Sequence, residues 1–580
     1  MQRSALRFSR SMLCCSLPAL IALPAVAGTP EALDRVPTDT QAVIVVPELG
    51  ELLNDINTIT GILGDQGEPM INMVTAMIRG MPGINLEGSM AAVLSMEEHQ
   101  DEPDVVMLVP VSNYEAFTNG QEAVNGLHEM PMGDQSMFVR NLGGGYALFG
   151  EIAEDVRNYD GAKGNLTAHS AMLGKAGGRI ADHNDIFVYV NIPQFQDQID
   201  MGLQEMESQG EMVEMMGGAE AAQAFDQMAS TMKTIANDAM SFAAGMSFDQ
   251  ASGISFDFGL QFKDDSSTSG YFNNDGDAAK YFSKVPSMDY FFAASYDMSG
   301  DGIQQLIGEY MGWVQQMDTT GAMDAFNLDA MIKGVNGGIQ VLGASDNVMG
   351  GLFTNTLYYA DVDNPGAYID MVRDMYADMG DHMEQMQEAG IAMEASVDEE
   401  ATEINGVKAY AYQVSMDMTQ AQGMNQMGAN PAMIMQMMFG GSGPSGYLAQ
   451  AGDHGLVATL SQNPTLLSNA VKAANGENTM ANSAAISKTR AMLPDNRIME
   501  MYIGADHLAN TAGPMAMMFG LIPEFEPVES LPPLGIAMTA DGGGMLFRTV
   551  IPMQTISKAM DIVEEMGAMQ HNNGGGQMDF

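Results

Sequence analysis

The sequence predicts an α+β protein: two tandem copies of one unit with a mainly antiparallel sheet, packed helices and Met-rich helical or loop insertions. Three observations predict it. First, a short apolar strand at 42–46 runs through a turn holding Pro47 into a helix with Leu49, Leu52, Leu53, Ile56 and Ile59 on one side. The hydrophobic period thus changes from 2 to about 3.6 within a few residues. Second, the same switch recurs at 185–202, 289–311 and 495–518. Third, the two halves of the chain repeat one order of segments, the signature of an internal duplication.

In chain order, residues 1–27 read as a secretory signal. Arg3, Arg7 and Arg10 form the charged start, 12–24 the apolar run, and Ala25-Val26-Ala27 a small-x-small site for a cut after Ala27. Cys14 and Cys15 follow Leu13 and Cys14, where a lipoprotein signal wants a small residue, so cleavage is expected rather than lipid anchoring. The run is too short to span a bilayer, and no later stretch reaches the ~20 apolar residues a membrane helix needs. The expected location is the periplasm or the cell exterior.

The first unit is expected at 28–285. After the opening strand and helix comes a second helix around 69–79. Strands near 90–96 and 105–109 follow, joined by an acidic turn at 97–104, and Asn113 opens a short helix. Two strands within 136–159 meet at the glycine turn 143–145, and a helix starts near Ala153. The second strand–helix switch lies at 184–200. A hairpin at 244–262 closes the unit, and there Ile254, Phe256, Phe258, Leu260 and Phe262 alternate as in a half-buried antiparallel strand.

The second unit, 286–567, replays this order at 288–311, 326–368, 446–476, 494–511 and 534–552, the last with its turn at 541–544. Local identities support the match: Asn85-Leu86 against Asn327-Leu328, and VSNYEAF against VDNPGAY. Each copy of roughly 250 residues has the size of a large domain. Insertions distinguish the copies. The first carries 204–240, helical, Met-rich and broken at Gly217-Gly218. The second carries 371–443, which starts as a long helix through Met393. It continues through a charged turn and a strand at 408–414 into a Met/Gln/Gly tract at 416–446. Residues 568–580 read as a disordered tail.

Composition bounds the function. Lys and Arg number 23 against 74 Asp and Glu, and removing the three signal arginines takes the net charge from −51 to −54. Such a surface repels nucleic acid and anionic lipid. Both cysteines lie in the signal, so disulfides, thiolate chemistry and Cys-bound zinc are excluded from the exported chain. The fold must stand on its hydrophobic core.

Methionine is the anomaly, with 57 in the chain. Thioether sulfur is a soft ligand suited to Cu(I). Met375, Met379, His382 and Met386 fall at spacings of 4, 3 and 4 on one expected helix, so they share a face and are the candidate Cu(I) ligands. The same spacing suits a core face, where Met replaces Leu, or an adaptable surface for apolar partners. Oxidant scavenging by sulfoxide formation needs no geometry. The turn Asp297-Met298-Ser299-Gly300-Asp301-Gly302 resembles the start of a calcium loop, but Gly308 stands where the bidentate Glu belongs, and a strand-to-helix turn capped by Asp301 explains it as well. Asn273-Asn274-Asp275-Gly276-Asp277 reads as a turn before a helix at Ala278. The eight histidines are scattered, with His183 and His454 in expected turns, and no paired-His, P-loop, G-x-S-x-G or dinucleotide motif occurs in the right context.

The segments VPTDTQAVIVVPELGELL, LTAHSAMLGKAGGRIADHNDIFVYVNI and MANSAAISKTRAMLPDNRIMEMYIGADHL resemble a broad family of secreted bacterial proteins known only as a domain of unknown function. Their shared phrase is a small-residue helix, a proline–aspartate turn, an apolar strand and a helix. The resemblance implies an extracytoplasmic α+β protein and carries over no catalytic residue.

The expected function is that of an exported, acidic, non-enzymatic envelope protein that binds a protein partner or an apolar ligand, through the groove between the halves or through the Met-rich insertions. The alternatives are a Cu(I)-binding or oxidant-buffering protein and a hydrolase whose site has no recognised motif. No other cofactor, no nucleic acid and no membrane span is expected.

Overall fold

The structure is a computed structural model. It describes residues 28–63, 72, 75–76, 78–80, 81–96, 103–132, 135–249, 251–317, 332, 334–345, 350–388, 392–417, 431–518, 520, 522 and 524–562. Within them, 20 strands form one antiparallel sheet.

The first-half strands are β1 (Ala42–Val46), β2 (Met90–Ser95), β3 (Asp104–Pro110), β4 (His128–Met132), β5 (Gln135–Gly143), β6 (Tyr146–Gly150), β7 (Ile186–Asn191), β8 (Ala239–Asp249) and β9 (Gly253–Phe262). The second-half strands are β10 (Tyr290–Asp297), β11 (Val335–Gly343), β12 (Leu357–Val362), β13 (Ala392–Val397), β14 (Thr402–Ile404), β15 (Val407–Asp417), β16 (Ser445–Ala451), β17 (Gly455–Thr459), β18 (Arg497–Ile503), β19 (Leu534–Asp541) and β20 (Gly544–Pro552).

From its edge inward, the first half runs β4-β5-β6-β3-β2-β1-β7-β8-β9. From the opposite edge the second runs β15-β16-β17-β12-β11-β10-β18-β19-β20, with β13 and β14 both on the far side of β15. Chain order across the two halves is the same, position by position. β9 and β20 then pair with each other over their whole length, so the halves meet inside a single sheet.

One face of this sheet, the inner face, carries two packed layers. In the first half Leu173, Ala176 and Ile180 of the helix Leu166–His183 pack on Val43, Val93, Leu108, Leu148 and Tyr189. In the second, Leu467, Ala470 and Ala474 of the helix Pro464–Ala474 pack with Tyr281 and Phe282 on Ala293, Val341 and Tyr502. Tyr281, Phe282 and Val285 thus fall within the first unit as expected at 28–285, yet belong to the second core. β20 serves both cores, through Leu546 in one and Val550 in the other. On the outer face the helix Leu49–Leu63 buries Leu49, Leu52 and Leu53 against Met90 and Ile186.

Many expected elements stand where the hydrophobic pattern put them. The strand at 42–46 and its helix do, Asn113 accepts a hydrogen bond from the Ala116 N–H at the start of Tyr114–Phe117, and the glycine turn joins β5 to β6. The first insertion forms helices Gln196–Ser208 and Gly210–Asp238, the latter kinked at Gly218, whose φ of 82° suits a residue without Cβ.

Two expectations are corrected. The helix expected through Met393 ends at Glu388, because Ala392–Val397 pairs with β15 as a new strand; backbone pairing at the sheet edge wins over helix periodicity there. In β9 Phe262 is buried as the alternation implies, but so are Gly253, Asp257, Gly259 and Gln261 of the other face, while Ile254, Phe256 and Leu260 are only partly covered and Phe258 is 48 % exposed. The helix Leu166–His183 comes so close to the inner face that a Cβ on Gly259 would lie 2.9 Å from the Ile180 side chain, which leaves small and hydrogen-bonded residues there. The turn at 97–102, the region around 64–71, the tract at 418–430 and the tail lie outside the described residues. Among the described residues no helix is long and apolar enough to cross a membrane.

Candidate functional site

The most built-up feature stands at the seam between the halves. A cleft of about 840 Å³ opens on the inner face beside the β9–β20 pair. One wall is the end of the helix Leu166–His183, with Arg179 and His183. The other is the segment from the helix Ala484–Arg490 into β18, with Arg490 and Arg497; Arg548 of β20 also lines it.

Each arginine is held by a nearly buried carboxylate. Asp257 and Arg548 face each other directly in the β9–β20 register. The Arg548 guanidinium donates through Nε at 2.7 Å and Nη2 at 2.6 Å to the two oxygens of Asp257, which also accepts from Asn184 Nδ2 at 2.7 Å. Asp257 has no solvent exposure and Arg548 7 %. A bidentate, fully hydrogen-bonded pair is the geometry in which buried charge is tolerated. Arg179 reaches across the seam and donates to both oxygens of Asp541 at 2.9 Å, and Lys175 pairs with the same carboxylate. Glu500, wholly buried in β18, accepts from Arg490 Nε at 2.6 Å, Arg497 Nε at 2.8 Å and the Tyr502 hydroxyl at 2.5 Å. Burial and the adjacent Glu500 carboxylate together push the Tyr502 hydroxyl well above its ordinary range, so it stays a donor.

Arg490 differs from its neighbours. Its guanidinium lies 4.9 Å from the ring centre of Phe282 and 5.9 Å from that of Tyr502, a cation–π arrangement. Among the described residues its Nε alone donates to a carboxylate, the Tyr502 hydroxyl also interacts with the guanidinium, and Nη2 is buried and meets no acceptor. At the rim, Ser247 and Ser255 hydrogen-bond to each other at 2.8 Å, and His183 Nδ1 contacts the Arg179 carbonyl.

The sequence-expected residues lie elsewhere. Met375 packs beside Val372, Tyr412 and Leu448, while the side chains of Met379, His382 and Met386 lie outside the described residues. In the calcium-like turn Asp297 is nearly buried and accepts from the Ser299 N–H and hydroxyl, the Asp277 N–H and Lys280 Nζ. Burial raises its pKa, but these donors together outweigh that and hold it below the ordinary value. Its oxygens are thus engaged in a turn and an ion pair. Glu51, Asp55 and Asp185 bring three carboxylate oxygens within 4.8 Å of one another, a set able to ligate a hard cation.

The seam residues were not singled out by motif, and the signal for them is modest. Asp257 interrupts the polar side of a Phe-rich strand, and Arg548 stands alone among LFRTVIP. A charge in the middle of a central strand needs a partner across the sheet. Comparison with family models, with characterised proteins and with solved structures returns no match.

Proposed function

We propose that this chain is an exported, non-enzymatic binding protein of the cell envelope, built from two copies of one unit, with its ligand seat in the seam cleft. The shared strand order of the halves supports the duplication. The twin walls of the cleft, one from each half, support the seat; this is the observation that carries the reading. Clefts between structural units are common ligand sites. The cleft's arginines are held in ion pairs, and Ser247 and Ser255 bond to each other, which suits recognition better than proton transfer or nucleophilic attack. The signal-like segment 1–27 supports export.

Ser487 lines the cleft from an exposed position, so Ser487→Trp fills the space without disturbing the core. In a thermal-shift screen of small metabolites, ligands that stabilise the wild type should lose their effect in this variant. A ligand set that stabilises both proteins equally places the seat elsewhere, and turnover of any bound compound overturns the non-enzymatic reading.

A further inference from the structure

We infer that the seam cleft binds a small ligand through an oxyanion, a carboxylate or phosphate group, seated on Arg490. This rests on the reading of the cleft as the ligand seat and names the chemistry it selects.

The charge distribution is the first argument. Outside the signal the chain has 20 basic residues, and Lys175, Arg179, Arg490, Arg497 and Arg548 stand at or beside this one cleft. Three buried carboxylates face them. Asp257 matches Arg548 one to one, but Glu500 faces both Arg490 and Arg497, and Asp541 faces both Arg179 and Lys175. Each shared carboxylate leaves one positive charge without a buried counterion of its own among the described residues. Asp249 and Asp495 also line the cleft, but both are exposed, and Asp249 already accepts from the Ala251 and Ser252 N–H groups.

The second argument is the donor inventory. Arg548 donates through all three nitrogens and Arg179 through both terminal ones. Among the described residues Arg490 is the one cleft arginine with no carboxylate or carbonyl on either terminal nitrogen, the Tyr502 hydroxyl being its one further side-chain partner. A guanidinium held by its Nε and stacked on rings keeps its remaining exposed edge oriented, so an oxyanion meets it at little further entropic cost. The surrounding surface is acidic, but at physiological ionic strength charges beyond about 8 Å are largely screened, whereas a contact ion pair is not.

Isothermal titration of the purified protein at physiological ionic strength tests this with citrate and inorganic phosphate as free anions, glycerol as a neutral control, and vesicles of phosphatidylglycerol in phosphatidylcholine as a lipid-borne phosphate. Saturable binding of a free anion is expected, weakened roughly tenfold by Arg490→Gln, less by Arg490→Lys, and lost in Ser487→Trp. Binding of vesicles alone with the same loss in Arg490→Gln supports the oxyanion and assigns its source to a headgroup. No binding of any anion, or binding unchanged by Arg490→Gln, overturns the inference. The underlying reading is judged separately. A neutral ligand that binds the wild type and Arg490→Gln alike but not Ser487→Trp keeps the cleft as the seat and discards the anion.

Discussion

On the inner face of β9 and β20, Asp257, Arg548 and Gln261 are buried. On the outer face of the same two strands, Phe258 is half-exposed and Phe256, Met545 and Phe547 are only partly covered. The usual rule, apolar side in and polar side out, is broken where the halves join: buried Asp257, Gln261 and Arg548 share the inner face with Leu546 and Val550. The difference teaches what each face can specify. Sliding β9 by two residues along β20 would exchange Phe256 for Phe258 or Ile254, one apolar contact for another. The same slide would separate Asp257 from Arg548 and bury two unpaired charges. The polar face therefore carries the register information, and the apolar face carries nonspecific adhesion.

The largest effect should come from breaking the polar face on one side only. Arg548→Met leaves Asp257 buried with Asn184 as its sole remaining side-chain donor, and the expected loss is about 3–5 kcal/mol in urea unfolding. The double variant Asp257→Leu/Arg548→Met removes both charges and should recover most of that loss. Equal losses in the single and double variants would mean that packing, not charge pairing, dominates at the seam.

A smaller effect is expected on the apolar face. Half of the Phe258 ring is already wet, so Phe258→Thr removes only part of a full aromatic burial and keeps a residue suited to strands. The expected cost is about 1 kcal/mol. A loss as large as that of Arg548→Met would show the outer face to be as structural as the inner one.

This contrast also marks how far the sequence could be read. Strands such as Ala42–Val46 and Ile186–Asn191, and helices such as Leu49–Leu63, were legible because one local period dictates one buried face. The parallel order of segments was legible for the same reason, since it needs only element types in sequence. What stayed hidden is long-range. Asp257 and Arg548 are 291 residues apart, and Arg179 and Asp541 are 362 apart. No local pattern tells which strand of one half will lie beside which strand of the other. The Phe-rich alternation of β9 was misleading because periodicity gives two faces without saying which will meet the closer-packed helix. The methionine spacing gave a candidate set and no means of separating metal ligation from packing; Met375, where its surroundings are described, packs among Val372, Tyr412 and Leu448.

Asp185 sharpens the comparison at its weakest end, because it is a carboxylate beside β7 and β8 with no basic side chain paired to it among the described residues. It precedes β7 and accepts the Phe248 N–H at the end of β8, and its other neighbours are Asp55, Glu51 and Asp249. Burial first, and then these like charges, push its pKa up to about 6 despite the hydrogen bond. The folded protein therefore binds a proton between about pH 4 and pH 6 that the unfolded chain does not. The resulting stability is fully present below the ordinary carboxylate pKa and is lost as pH rises through about 6. At pH 7 Asp185 is an ionised group the fold disfavours, so Asp185→Asn, which keeps an acceptor for Phe248, should stabilise. The side chain is half-exposed, and solvent screening reduces the gain to about 1 kcal/mol or less. Urea unfolding of both proteins at pH 7 and pH 4 checks it. The gain should be present at pH 7 and vanish at pH 4, whereas a gain that persists at pH 4 would assign the effect to packing of the amide rather than to charge.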